Sequence, residues 1–274
     1  MRPQFPNYPH LRWGLSTLGC PEYSLPQAVD LADEYGIEFL EIRTLNNSVD
    51  CTETLRRPEN LPAMKRLAEA GRCRVLDSSF GLAVVKPEAQ EALSKIAAIA
   101  DEFGIPFIRV FGGGNYGEPL DEARVAAARQ NLEWYASQGF RARLALETHD
   151  LCSSADFCRE LQRRCGQEFP IIWDAHHTHH IADESFRESF DKMKAFIVGV
   201  HFKDSHHVQD ENGARQCSYD LIGHGTVPLR ELFDLLEQAR FAGPVTLEHE
   251  KFWRKQLPDI RAELDSWVDY CAGR

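Results

Sequence analysis

Eight short β-branched or apolar runs, each followed by a longer amphipathic stretch, repeat along this 274-residue chain. The runs are Leu11–Leu15, Ile37–Ile42, Arg74–Ser78, Phe107–Phe111, Arg143–Glu147, Ile171–Asp174, Phe196–His201 and Val245–Glu248. Between them lie helical patterns at Pro26–Tyr35, Leu61–Ala70, Glu88–Phe103, Asp121–Ser137, Ala155–Arg164, Phe186–Lys194 and Leu229–Ala239, with Asp259–Tyr270 last. The seven intervals between strand starts average about 33 residues, the length of one βαβ unit. Regular alternation demands a parallel sheet, and eight repeats predict closure into a (β/α)₈ TIM barrel. Gly36, Gly104, Gly139 and Gly243 stand where helices should turn into strands, a place that suits the left-handed C′ conformation. An open doubly wound sheet is the rival, but Leu15-Ser16-Thr17-Leu18-Gly19 is not the Gly-rich phosphate loop expected after its first strand. No linker or second domain interrupts residues 1–274, so a single domain is expected. The one long connection, Ser205–Thr226, has the length of a lid or binding loop.

Composition removes several function classes. A net charge of −11 with no Lys/Arg run repels phosphate backbones, so nucleic acid is not an expected partner. No apolar stretch reaches the roughly 18 residues of a membrane span. The N-terminus lacks a secretory pattern, which predicts a cytoplasmic protein. The eight cysteines form neither a CxxC pair nor a zinc-finger spacing, so they read as reduced thiols without assigned chemistry. A small-molecule substrate is the expected partner, and a homo-oligomer is left open.

In such a barrel, side chains at the C-terminal strand ends converge on one mouth. Here the second half of the chain carries the chemistry: Glu147-Thr148-His149-Asp150, Asp174-Ala175-His176-His177, His201-Phe202-Lys203-Asp204 and Glu248-His249-Glu250. Any one of these groups alone would read as a helix cap or a surface charge. Four successive strands, each ending in a potential ligand, predict one metal site made of Glu147, Asp174, His201 and Glu248. That O₃N set suits Mn²⁺, Mg²⁺, Co²⁺ or Zn²⁺. Three close carboxylates would repel one another unless a cation lay between them. His177, just past the strand end, can face a substrate, and His149 and Lys203 share strand parity with Glu147 and His201. Arg43 should also point inward, either to pair with Glu41 or to bind substrate. Arg109 on the fourth strand is a weaker candidate. His176, His179, His180, His206, His207 and His224 fall on connections and are expected to be mostly exposed.

These motifs, with Gly223-His224-Gly225, resemble the xylose-isomerase-like TIM barrels of the sugar phosphate isomerase/epimerase superfamily over the whole chain. The resemblance implies one divalent metal on Glu147, Asp174, His201 and Glu248. From the ketose 3-epimerases it implies proton transfer by Glu147 and Glu248 and substrate contact by His177. The expected activity is a metal-dependent isomerase or epimerase acting on a sugar or keto-polyol through a metal-stabilised enediolate, with His177 and Lys203 holding oxygens. A dehydratase of an inositol-like keto-polyol, with His177 or His149 as acid, is the alternative. A non-catalytic sugar-binding barrel is a third reading, disfavoured by the intact ligand set. An endonuclease IV-like nuclease would need further His ligands on strands three and four, which end in Ser78-Ser79-Phe80 and Phe111-Gly112-Gly113. No basic or Gly-rich cluster marks a phosphate site, so a non-phosphorylated substrate is expected.

Overall fold

The computed structural model describes residues 7–273; Met1–Pro6 and the Cys51 side chain, on which two of the readings above fall, lie outside them. The strands are β1 (Arg12–Ser16), β2 (Phe39–Glu41), β3 (Val75–Gly81), β4 (Phe107–Phe111), β5 (Arg143–Glu147), β6 (Ile171–Asp174), β7 (Ile197–Phe202), β8 (Asp204–Gln209), β9 (Arg215–Asp220) and β10 (Pro244–Leu247). Eight of them form one parallel sheet in the order β2-β1-β10-β7-β6-β5-β4-β3. A parallel bridge between Ile42 and Leu76 links its two edge strands. Leu40 N–H donating to Arg72 O (2.9 Å) and Asp77 N–H donating to Ile42 O (3.0 Å) reinforce that seam. The result is a (β/α)₈ TIM barrel.

The helices are α1 (Leu25–Tyr35), α2 (Cys51–Thr54), α3 (Leu61–Glu69), α4 (Pro87–Phe103), α5 (Glu122–Ser137), α6 (Ala155–Cys165), α7 (Phe186–Met193), α8 (Leu229–Gln238) and α9 (Ile260–Ala272). None in the described chain is long and apolar enough to cross a membrane. Gly36 and Gly104 end α1 and α4 in the left-handed conformation, as their positions predict. Gly243 does not: its φ is not positive, and a Cβ there would press on Val198 O and the Phe241 ring. It is a glycine for want of space.

Strand periodicity sorts the core into two shells. Outward residues such as Leu76, Ile108, Leu146, Trp173, Val200, Phe202 and Leu247 pack under the helices in one large cluster. Inward, Val75, Phe107, Ala145 and Ile172 form a small apolar plug, with Val198 against it. Two residues further along β3 to β6, the same face carries Asp77, Arg109, Glu147 and Asp174, all buried. The barrel is therefore apolar low in its interior and ionic at its mouth.

The long connection Ser205–Thr226, expected to be a lid or binding loop, holds a β-hairpin. β8 and β9 pair antiparallel from Asp204↔Asp220 to Gln209↔Arg215. At its base, the Asp204 carboxylate accepts N–H bonds from Ser205, Gly223, Gly225 and Val227. A Cβ at Gly225 would overlap that carboxylate, which accounts for the second glycine of Gly223-His224-Gly225.

Candidate metal centre

Each of the four expected ligands comes from the end of its own strand: Glu147 from β5, Asp174 from β6, His201 from β7 and Glu248 just past β10. One ligand atom from each lies within 4.8 Å of all the others, and all four residues are buried. His201 Nδ1 sits 3.0 Å from Glu147 Oε1 and 3.7 Å from Glu248 Oε1. On its far side, His201 Nε2 is 2.9 Å from Glu41 Oε1. A metal-binding histidine commonly hands its second nitrogen to a carboxylate, which fixes the ring and raises its basicity. Glu41 stands in that position. Asp174 Oδ2 and His201 Nε2 are buried without a well-directed hydrogen bond, although ion-pair partners are close. The donor set and the under-satisfied Asp174 Oδ2 fit a divalent cation.

The charges around the cluster are unequal. Glu41, Asp77, Glu147, Asp174, Glu248 and Glu250 converge on Arg43, Arg109 and Lys203, so six carboxylates face three permanent cations. Burial disfavours every one of these charges, so which neighbour lies closest decides each case. For Glu147, burial is outweighed by Arg109 and His201, and its carboxyl is held well below the usual range. Glu248 is held down to about 2 against burial, chiefly by Lys203 and then His201. Asp174 goes the other way: burial and repulsion from Glu248 and Glu147 raise it despite Lys203. Asp77 is raised by burial and by Glu41, against the pull of Arg109. His201 is pushed up against burial by Glu41 and Glu248. A dication placed among these carboxylates would relieve the repulsion at Asp174.

The remaining candidates occupy several settings. Lys203, expected to reach substrate, makes contacts with two ligand carboxylates and with Glu250: Nζ lies 2.8 Å from Asp174 Oδ2, pairs closely with Glu248, and lies 3.1 Å from Glu250 Oε1. Arg109 clamps Glu147 and lies 3.2 Å from Asp77 Oδ1. His177 Nδ1 is 3.0 Å from Thr148 O and 3.2 Å from Asp174 Oδ2. Its ring meets His149 edge to face at 4.4 Å. His149 pairs with Asp150 at 2.7 Å. Arg43 donates to Ser79 Oγ at 3.0 Å and lies 6.0 Å from the Trp253 ring centre.

Above the cluster opens a cavity of about 400 Å³, whose lining includes Arg43, Arg109, His149, Tyr219, Glu248 and Trp253. It is the size of a small-molecule site. Of the four ligands, only Glu248 lines it. Tyr219 and Trp253 escaped sequence reasoning because each sits on a connection whose path only the fold sets. Glu250 carried a signal, since it shares parity with Glu248. Glu41 was visible only as a partner for Arg43. His176 and His180, expected to be exposed, are buried beneath the β8–β9 hairpin.

An O₃N ligand set at the mouth of a (β/α)₈ barrel defines a class: barrels able to hold one divalent cation beneath a small-molecule cavity. A family model described as "Xylose isomerase-like TIM barrel" matches residues 29–270, and the chain belongs to that family. Among solved structures it is similar to the probable 3-DHS dehydratase AsbF of Bacillus anthracis, with 17% identity and a TM-score of 0.74, covering 94% of this chain and 99% of that one. It is similar to IolI with a bound zinc atom, with 14% identity, a TM-score of 0.67 and 96% of each chain covered. It is also similar to a D-tagatose 3-epimerase-like protein, with 16% identity and a TM-score of 0.61, covering 95% and 99%. No curated protein matches the sequence.

Proposed function

We propose that this protein is a divalent-metal-dependent isomerase or epimerase that moves a proton next to the carbonyl of a sugar or keto-polyol. The observation that carries the reading is the meeting of Glu147, Asp174, His201 and Glu248 beneath a cavity large enough for such a substrate. Family membership supports it, as do a zinc atom in one structural neighbour and an epimerase-like name on another.

Glu147, Asp174, His201 and Glu248 would hold the cation; when bound, it supplies Lewis acidity that lowers the cost of ionising a C–H bond beside a carbonyl. Glu248 lines the cavity and is kept ionised by Lys203, so it is the carboxylate placed to take the proton. Glu147, reaching in from β5 and held ionised by Arg109 and His201, would take up a proton from solvent before returning one on the opposite face, which inverts the carbon. Arg109 and Lys203 would orient the two glutamates. Arg43, His149 and His177 are the candidates for substrate hydroxyls. Of the cations in the lining, Arg109 is engaged by Glu147 and Asp77, and a non-phosphorylated substrate is the expected one.

A second reading rests on His149. It lines the cavity and pairs with Asp150, a setting in which an imidazolium could protonate a departing hydroxyl. The same barrel would then be a dehydratase, the activity named for the Bacillus anthracis neighbour.

Metal-loaded protein incubated with a panel of ketoses and keto-polyols in D₂O separates these readings. Deuterium at the α-carbon without loss of mass supports epimerisation or isomerisation, whereas loss of water supports the dehydratase. Glu147→Gln and Glu248→Gln should each fold and stop the exchange, and full activity in either variant overturns the two-base scheme. Tight sugar binding by metal-loaded protein with no exchange would leave a binding barrel instead.

A further inference from the structure

A second set of ligands, of softer chemistry, lies beside the first. Directly after Asp174 and the following Ala175-His176 pair, the chain makes one turn of π-helix, His177–Ile181. Such widened turns are rare and frequently fall at functional sites. This one turns His176 and His180 toward a common point: His176 Nε2 lies 2.8 Å and His180 Nδ1 2.9 Å from Ser205 Oγ.

Ser205 belongs to β8, and strand alternation puts Ser205, His207, Cys217 and Tyr219 on one face of the hairpin, with Ser205 opposite Tyr219 and His207 opposite Cys217. That face covers the π turn. The His180 and His207 rings are 4.2 Å apart and the His176 and Tyr219 rings 5.6 Å apart. Arg215, next along the same face, bonds Asp183 beyond the turn at 2.8 Å. Cys217 completes the set: its sulfur and one nitrogen from each of His176 and His180 all lie within 4.8 Å of one another.

We propose that His176, His180 and Cys217 form a second metal site, separate from the carboxylate cluster, which takes zinc or a similar borderline divalent ion and fastens the β8–β9 hairpin to the barrel. Two imidazoles and a thiolate are a zinc-type donor set, whereas the carboxylate-rich cluster offers no sulfur. Zinc bonds of about 2.0–2.3 Å in a tetrahedron require donors roughly 3.5 Å apart. The donors lie within 4.8 Å of one another, so side-chain rotation has to close the remaining gap. Ser205 Oγ, which bonds both imidazoles, is an oxygen at hand as a further donor. On binding, the Cys217 thiol gives its proton to solvent, so affinity rises with pH. Both imidazoles must bind as neutral donors, and both are buried. Because Tyr219 lines the substrate cavity and sits two residues from Cys217, occupancy would also fix one wall of that cavity.

Cobalt(II) titration of the metal-free full-length protein tests this. A thiolate ligand gives a sulfur-to-cobalt charge-transfer band in the near ultraviolet, which an oxygen-and-nitrogen site cannot produce. The expected result is two equivalents of cobalt per chain, with the band saturating at one of them. Cys217→Ser should abolish the band and remove one equivalent, and His180→Asn should weaken the band-forming site at least tenfold. Glu248→Gln should weaken the other site and keep the band, so failure of the carboxylate site and failure of this one are told apart. Melting curves of the metal-free variants confirm that each is folded. No charge-transfer band at saturating cobalt in the wild type, or a band that survives Cys217→Ser, overturns the proposal.

Discussion

Phe107 and Arg109 are neighbours on one face of one strand, as are Ala145 and Glu147, Ile172 and Asp174, and Val75 and Asp77. The lower member of each pair belongs to a dry plug where shape decides stability. The upper member belongs to an ionic layer in which carboxylates outnumber cations and every charge is held by another. Both layers are equally buried, so burial does not distinguish structure from chemistry here. What distinguishes them is whether a side chain's energetic requirement is met by its neighbours. The plug is complete in itself. The ionic layer sets six carboxylates against three permanent cations and so has a place for an added cation.

Substitutions in both layers of β4 put this contrast at greatest risk. Arg109→Met leaves Glu147 and Asp77 without their clamp and should cost about 3–5 kcal/mol, the range for an orphaned buried charge. Added divalent metal should return part of that loss, read as a shift in the urea midpoint. Phe107→Ala should cost a similar 3–5 kcal/mol, roughly the range for cavity formation. In that variant the metal affinity of the folded molecule should stay near wild type. Equal metal affinities for the two variants would erase the distinction between layers.

A buried carboxyl away from the site extends the contrast. Glu263 on α9 is buried, its Oε2 has no hydrogen-bond partner, and burial pushes it up to about 8. The folded state keeps this proton up to about pH 8, whereas the unfolded chain releases it near the ordinary value of 4.5. Stability should therefore fall as pH rises through that window. Glu263→Gln should flatten the dependence and gain about 2–4 kcal/mol at pH 8, since each pH unit between the two values is worth at most roughly 1.4 kcal/mol. Urea midpoints at pH 5 and pH 8 for the two proteins check it; parallel slopes would refute it.

The smallest effect is expected at Glu41. Glu41→Gln keeps the shape beside His201 Nε2 but removes the charge. It should weaken metal binding about 10–100-fold, as loss of such supporting carboxylates does elsewhere, with little change in the melting temperature of the metal-free protein. Isothermal titration with manganese or zinc measures it, and an unchanged affinity would remove Glu41 from the site.

Much of this arrangement is legible in the chain. The bounds of β4, β5 and β6 follow directly from apolar runs bounded by turn residues, and Glu147, Asp174 and His201 follow from their places at strand ends. The hairpin is not legible. Asp204–Gln209 and Arg215–Asp220 are polar and lack a clear period of two, because their covered face meets His176 and His180 instead of an apolar core. The burial of His176 and His180 depends on that hairpin and was hidden with it. Cys217 had no motif around it for the same reason: its neighbours come from the turn after β6 and from β8, about ten or more residues away along the chain.

Local sequence determined which residues form strands and helices and which face of each strand turns inward, because side-chain alternation and helical periodicity act over a few residues. It therefore determined that acidic and imidazole groups would gather at one end of a barrel. Which group clamps which carboxylate, where the cavity opens, and what the hairpin covers were settled by tertiary packing alone. Those contacts join residues tens to hundreds of positions apart, and electrostatic pairing in a low-dielectric interior depends on distances that no local pattern records.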